Sequence, residues 1–205
     1  MYMHDLNILH RDLHPGNVLL SGGWSPCEWQ AQLADFGKAC CKPWDRQVVL
    51  PLAFRSPELL FAQGACLVEK KNAGLGGFAY QPPLEADNTK SVDIWALACL
   101  FKFAYTGSLP FGHSNDGAQL IAALLHKMGA PDHRCTVRAK WTIFHTRAGP
   151  KFLQTYGRSR AELVPGLFLN LCEQAVFQWD METRPSAHSL QSFFCGYCPC
   201  LPDVD

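Results

Sequence analysis

The chain has 205 residues, 48% of them hydrophobic and 18% charged, which is enough apolar material for the core of one domain, two at most, and excludes general disorder. Lys plus Arg and Asp plus Glu each number 18, so neither a basic field for nucleic acid nor an acidic tail for a basic partner is expected. His4, Asp5, His10, Arg11 and Asp12 interrupt any apolar run at the start and no 18-residue apolar run follows, so the expectation is no signal peptide, no membrane association and a cytoplasmic and/or nuclear location.

In chain order, HRDLHPGNVLL, residues 10–20, reads as a loop feeding a short strand. Gly22-Gly23 and Ser25-Pro26 then separate two apolar stretches, Asn17 to Leu20 and Ala31 to Ala34, which predicts a β-hairpin. Lys38 to Arg55 is irregular, with Pro43 and Pro51, and leads into Ser56-Pro57-Glu58-Leu59-Leu60, a helix start with proline in its first turn. Ala65 to Asn88 is a polar insertion rich in Gly and Pro, and Gly74 to Gly77 within it reads as a loop. Ser91 to Thr106 is apolar on nearly every face, so it is expected as a helix in the middle of the core. Asp116 to Met128 carries Leu120, Ile121, Leu124, Leu125 and Met128 at helical spacing, closed by Gly129 and Pro131. Arg134 to Val164 is less regular; Gly166 to Asp180 and Ser186 to Phe194 are expected as further helices.

Ten cysteines in a chain with no secretory signal are expected as reduced thiols, Cys40-Cys41 among them. Cys195, Cys198 and Cys200 lack the second pair that a four-ligand zinc site needs, so no structural metal is expected there.

The chemistry concentrates in two places. A loop presenting Asp12 and Asn17, joined across the hairpin to Asp35-Phe36-Gly37, puts two oxygen ligands and one free carboxylate about one point. Hard cations such as Mg²⁺ take such ligands, with phosphate oxygens completing the shell. Asn17 and Asp35 would hold the metal on a nucleoside triphosphate while Asp12 orients an attacking hydroxyl. Each residue alone is more often a turn cap; their order and spacing together carry the chemical reading.

HRDLHPGN, DFG, RSPELL, DIWALACLF and RPS follow one another as in the C-terminal lobe of eukaryotic protein kinases, which the chain resembles over essentially its whole length. Arg55 before Ser-Pro-Glu, LPFGHSNDGAQL and MGAP are most similar to the cyclin-dependent kinase branch, whose substrates carry proline after the target residue. The resemblance implies a mainly α fold: a helical bundle with a short β-hairpin carrying the catalytic and DFG loops. It implies a partial kinase domain over 1–195 with an insertion at about 65–90 and a Cys- and Pro-containing tail over 196–205. By the same resemblance Asp12, His14 and Asn17 are catalytic, Asn17 and Asp35 hold Mg²⁺, and these with Gly37 meet ATP. Val49, Leu50, Pro51, Leu52 and Arg55 shape the site after the acceptor. His10, Arg11, Glu58, Asp93 and Arg184 are structural: Glu58 pairs with Arg184, Asp93 ties down the backbone of the catalytic loop, and Arg11 would receive an activating phosphate. Lys38 to Arg55 holds no Ser, Thr or Tyr to phosphorylate; Asp45 is the candidate permanent anion for Arg11, against the more ordinary reading of a solvated loop aspartate. A protein substrate and, from the branch alone, a cyclin-like subunit are the implied partners.

Three departures stand against this pattern. The Gly-rich loop, strand lysine and partner glutamate that precede the catalytic loop in the family have no counterpart in the residues before His10. His14 stands where Ser/Thr kinases usually have lysine, and neutral imidazole is a poorer cation. Pro51 replaces a threonine and offers neither hydroxyl nor amide hydrogen. One preorganised donor is worth roughly 2.7–4 kcal/mol, so losing both lysines costs about 5–8 kcal/mol if additive, and the isolated chain is expected to be a poor Ser/Thr kinase. The rivals are a non-catalytic pseudokinase fragment that binds a partner and, from DLHPGN, a small-molecule phosphotransferase. RSPELL and DIWALACLF disfavour the latter.

Overall fold

The computed structural model describes residues 2–23, 28–41, 50–60, 89–128, 166 and 169–197. The insertion, Val49, Asp45, Gly74 to Gly77, Gly129 to Val164, Cys198 and Cys200 lie outside them. The described part is mostly helical, with one two-stranded sheet. No helix among the described residues is long and apolar enough to cross a membrane.

A short helix α1 (Tyr2–Asp5) leads into the loop that carries His10 to His14, and a 3₁₀ turn (Pro15–Asn17) leads to strand β1 (Val18–Ser21), which pairs antiparallel with β2 (Gln30–Leu33). The hairpin is present with each strand one residue nearer its turn than expected. Asn17 is drawn into the 3₁₀ turn, where its side chain reaches the Asp12 carbonyl, while its own carbonyl still accepts from the Ala34 amide at 2.9 Å. The pairing Val18↔Leu33 and Leu20↔Ala31 puts these four apolar residues on one face and Leu19, Ser21, Gln30 and Gln32 on the other.

The longest helix, α2 (Lys90–Thr106), runs through the core. Its first half is buried all round, as the sequence implies: Val92 to Ala96, Ala98 and Cys99 have almost no exposed surface. Its second half departs from that expectation: only one face, with Leu100 and Phe103, still packs on the core, and Phe101 and Tyr105 are exposed by 40% and 53%. Trp95 is the centre of the core, stacked on Phe111 at 5.4 Å and edge-on to Phe177 at 5.0 Å. Helix α3 (Gly117–Met128) buries Leu120, Ile121 and Leu124, with the Asp116 carbonyl accepting from the Leu120 amide. Helix α4 (Ala187–Tyr197) starts where the Ser186 hydroxyl accepts from the Ser189 amide.

The helix expected over 166–180 ends early, in a π turn over Cys172–Val176. The Phe177 ring turns toward Trp95, and the Gln178 carbonyl turns toward Arg184, whose guanidinium takes it at 2.9 and 3.1 Å. Tertiary partners therefore outweigh the helical pattern at this point.

Gly107 closes α2 in the left-handed region at φ 70°, its amide on the Phe103 carbonyl at 2.8 Å, and no atom crowds the place a Cβ would occupy. Gly107→Ala is therefore a backbone test, expected to lower unfolding free energy by about 1–2 kcal/mol in a denaturant titration.

Candidate active site

Asp93, near the start of α2, is 3% exposed, and its carboxylate points into the bend of the His10–Arg11 loop. Oδ2 accepts from the His10 amide at 2.8 Å and Oδ1 from the Arg11 amide at 2.9 Å. Arg11 is left-handed at φ 65°, a cost for a residue with a Cβ, and the two hydrogen bonds from consecutive amides offset it. Oδ2 also meets His4 Nε2 at 3.0 Å, a contact the sequence analysis missed. Its only trace there is a histidine six residues before His10, without a local partner to name it.

The loop is fixed from the other side by the segment after β2. His10 Nε2 donates to the Ala34 carbonyl at 3.0 Å and its ring lies 5.0 Å from that of Phe36. The Asp12 amide faces His10 Nδ1 at 3.4 Å, which makes Nε2 the protonated nitrogen. Arg11 Nε donates to the Lys38 carbonyl at 2.8 Å, and Leu9 and Cys40 form a β-bridge. His10 and Arg11 thus stitch the two halves of the site together, and Asp45, named for Arg11, lies outside the described residues.

Asn17 Nδ2 donates to the Asp12 carbonyl at 2.9 Å, which turns Oδ1 away as the amide atom left for a hard ligand. Asp35, two residues after the end of β2, is left-handed at φ 58°, and its Oδ1 accepts from the Gly37 amide at 3.1 Å. Gly37, expected at the nucleotide, has its amide committed to the Asp35 carboxylate. No set of three His, Cys, Asp or Glu that could hold a metal occurs among the described residues. A divalent ion here would take Asn17, Asp35 and oxygens brought by its ligand, a donor set suited to Mg²⁺.

Leu50, Pro51 and Leu52 lie where the chain enters a 3₁₀ turn (Leu52–Phe54), and Arg55 Nε donates back to the Leu50 carbonyl at 2.6 Å. Burial lowers the pKa of Arg55. Pro57 opens the next helix, with the Ser56 carbonyl accepting from the Leu59 and Leu60 amides. Glu58 is completely buried and receives both Arg184 nitrogens, at 2.6 and 2.7 Å, while the guanidinium lies 4.8 Å from the Trp95 ring. Cys99 and Cys172 are buried in the same core and burial raises both thiol pKa values; Cys40, Cys41, Cys99 and Cys172 are all free.

The comparisons with known proteins agree with this geometry. A family model described as the protein kinase domain matches residues 1–193. The chain is 30% identical over 201 residues to cyclin-dependent kinase F-3 of Oryza sativa subsp. japonica, which covers 94% of this chain and 39% of that protein. It is 26% identical over 211 residues to the CTD kinase subunit alpha of Schizosaccharomyces pombe, covering 97% of this chain and 30% of the relative. To cell division control protein 2 homolog 1 of Trypanosoma brucei brucei it is 32% identical over 137 residues, covering 65% and 36%. The chain thus spans less than two fifths of the length of these relatives. With its match running from the first residue to within a few of the last described helix's end, the chain belongs to the protein kinase domain family, among relatives that are cyclin-dependent and related kinases.

Proposed function

We propose that the chain is the C-terminal lobe of a protein Ser/Thr kinase of the cyclin-dependent type, acting on protein hydroxyls with ATP as phosphoryl donor. The observation that carries this reading is the Asp93 clamp: it holds Arg11 left-handed and so aims Asp12 from a rigid helix. Asp12 would orient the acceptor hydroxyl and take its proton. Mg²⁺ on Asn17 and Asp35 would neutralise charge on the triphosphate. A protein substrate, a cyclin-like subunit and a cytoplasmic and/or nuclear location belong to the same proposal.

Proline after the acceptor is favoured by Arg55. Its Nε donates to the Leu50 carbonyl, which holds that acceptor toward Arg55 and away from the amide of the following substrate residue. Proline has no such amide to leave unpaired.

A second reading, a binding module without catalysis, is favoured by Pro51, which contributes no N–H at the centre of this segment. Thermal unfolding separates the two. Mg-ATP is expected to raise the midpoint by mass action, and Asp35→Asn to abolish the rise. Transfer to a Ser-Pro peptide is expected to exceed that to Ser-Ala, and Asp12→Asn to reduce it by about 10²–10⁴-fold. No shift and no transfer would favour the binding module; phosphorylation of small alcohols where peptides are not phosphorylated would favour the small-molecule phosphotransferase.

A further inference from the structure

The Asp12 side chain is only 14% exposed, and beside its carboxylate stands His14, whose Nε2 lies 3.7 Å from Oδ1. The imidazole is not free to choose which nitrogen bears its proton. The Gly16 amide donates to Nδ1 at 3.1 Å, and a nitrogen that accepts must offer its lone pair, so the neutral ring carries its proton on Nε2. That approach depends on glycine: a Cβ at position 16 would sit 2.9 Å from His14 Cε1 and 3.1 Å from Nδ1. His14 itself is extended at φ −154°, capping the 3₁₀ turn that begins at Pro15, so the ring lies back over its own turn.

We propose that His14 is a neutral hydrogen-bond donor that positions Asp12, with Gly16 fixing the donor tautomer. The proposal rests on the kinase reading and deepens it. The 3.7 Å gap exceeds a hydrogen bond and closes to one when substrate is bound, as such contacts do in active sites. With Oδ1 engaged, Oδ2 receives the proton of the acceptor hydroxyl as its oxygen bonds to the γ-phosphorus. The bond from that phosphorus to the β-phosphate oxygen breaks and its electron pair leaves with ADP. His14 keeps its proton throughout, because its second nitrogen is spent on Gly16 and cannot relay the proton onward. A residue that supplied charge to the phosphate would work differently: it would need to be cationic.

Long-range proton–nitrogen correlation spectra of the ¹⁵N-histidine full chain at about pH 8, above the ordinary histidine range, test this without any turnover. The His14 signals are identified by their loss in His14→Gln. The wild type is expected to show the Nε2–H pattern alone, and Gly16→Ala a mixture of tautomers. A mixed or Nδ1–H pattern in the wild type would overturn the proposal even if the chain proves an active kinase, and the expected pattern would stand even if no transfer is found. In transfer assays His14→Gln, which keeps an N–H donor, is expected to hold kcat within about threefold, and His14→Phe to lower kcat about tenfold with both KM values unchanged. A His14→Lys chain about tenfold faster than wild type would show that charge is the missing element and also overturn it.

Discussion

Arg184→Ala is expected to lower the free energy of unfolding by about 3–5 kcal/mol, the range for removing one partner of a buried ion pair. Both side chains are completely buried, and the two parallel bonds from Nη1 and Nη2 are all that satisfies the Glu58 carboxylate among the described residues. The loss is asymmetric. Without Glu58, Arg184 still donates to the Gln178 carbonyl and Ser91 Oγ and lies over the Trp95 ring. Without Arg184, Glu58 is a stranded charge. Glu58→Ala is therefore expected to cost less than Arg184→Ala, and adding Glu58→Gln to Arg184→Ala to restore part of the stability by removing the buried charge. Urea titration of the four chains reads all of this. Arg184→Ala within about 1 kcal/mol of wild type would place the pair outside the stabilising core, against the general range for buried pairs.

The same pair shows where sequence alone stopped. Helices α2, α3 and α4 begin within a residue of their expected starts because their signals are local: an unbroken apolar run for α2, apolar residues at helical spacing for α3 and α4. The hairpin was legible for the same reason. The end of the helix after residue 166 was not, because it is decided by Trp95, far away in the chain, and by Arg184, six residues beyond Gln178, whose contact with that carbonyl no spacing pattern announces. Likewise no spacing rule links Glu58 to Arg184 or His4 to Asp93, at separations of 126 and 89 residues. Family resemblance supplied the first pair, and the second emerged only with coordinates. Asp12, Asn17 and Asp35 were readable as a group because the hairpin joining them is short, whereas the Gly16 amide on His14 is a backbone contact that residue types do not announce.

Asp93→Asn is expected to loosen the catalytic loop while leaving the fold in place. The carboxylate offers an acceptor on each side: Oδ1 for the Arg11 amide, Oδ2 for the His10 amide and His4. An asparagine has one oxygen. If that oxygen faces Arg11, the new NH₂ faces the His10 amide, donor against donor; if it is flipped, the Arg11 amide is the one left over. His4 can exchange tautomers to suit either choice, but a backbone N–H cannot. One buried amide is thus unpaired in both arrangements, at a cost of about 1–3 kcal/mol beyond the lost charge assistance. Arg11 pays a further cost for its left-handed φ of 65°, so relaxation is expected there first, carrying Asp12 with it. A displacement on the order of 1 Å at a reacting group is enough to lower turnover about 10²-fold. Amide hydrogen exchange reads the effect directly: the His10 and Arg11 amides should exchange much faster in Asp93→Asn, while those of α3 keep wild-type protection. Equal protection at His10 and Arg11 in both chains would mean that the loop holds its bend without Asp93, and the rigid aim of Asp12 would then have to come from the Ala34 and Lys38 carbonyls alone.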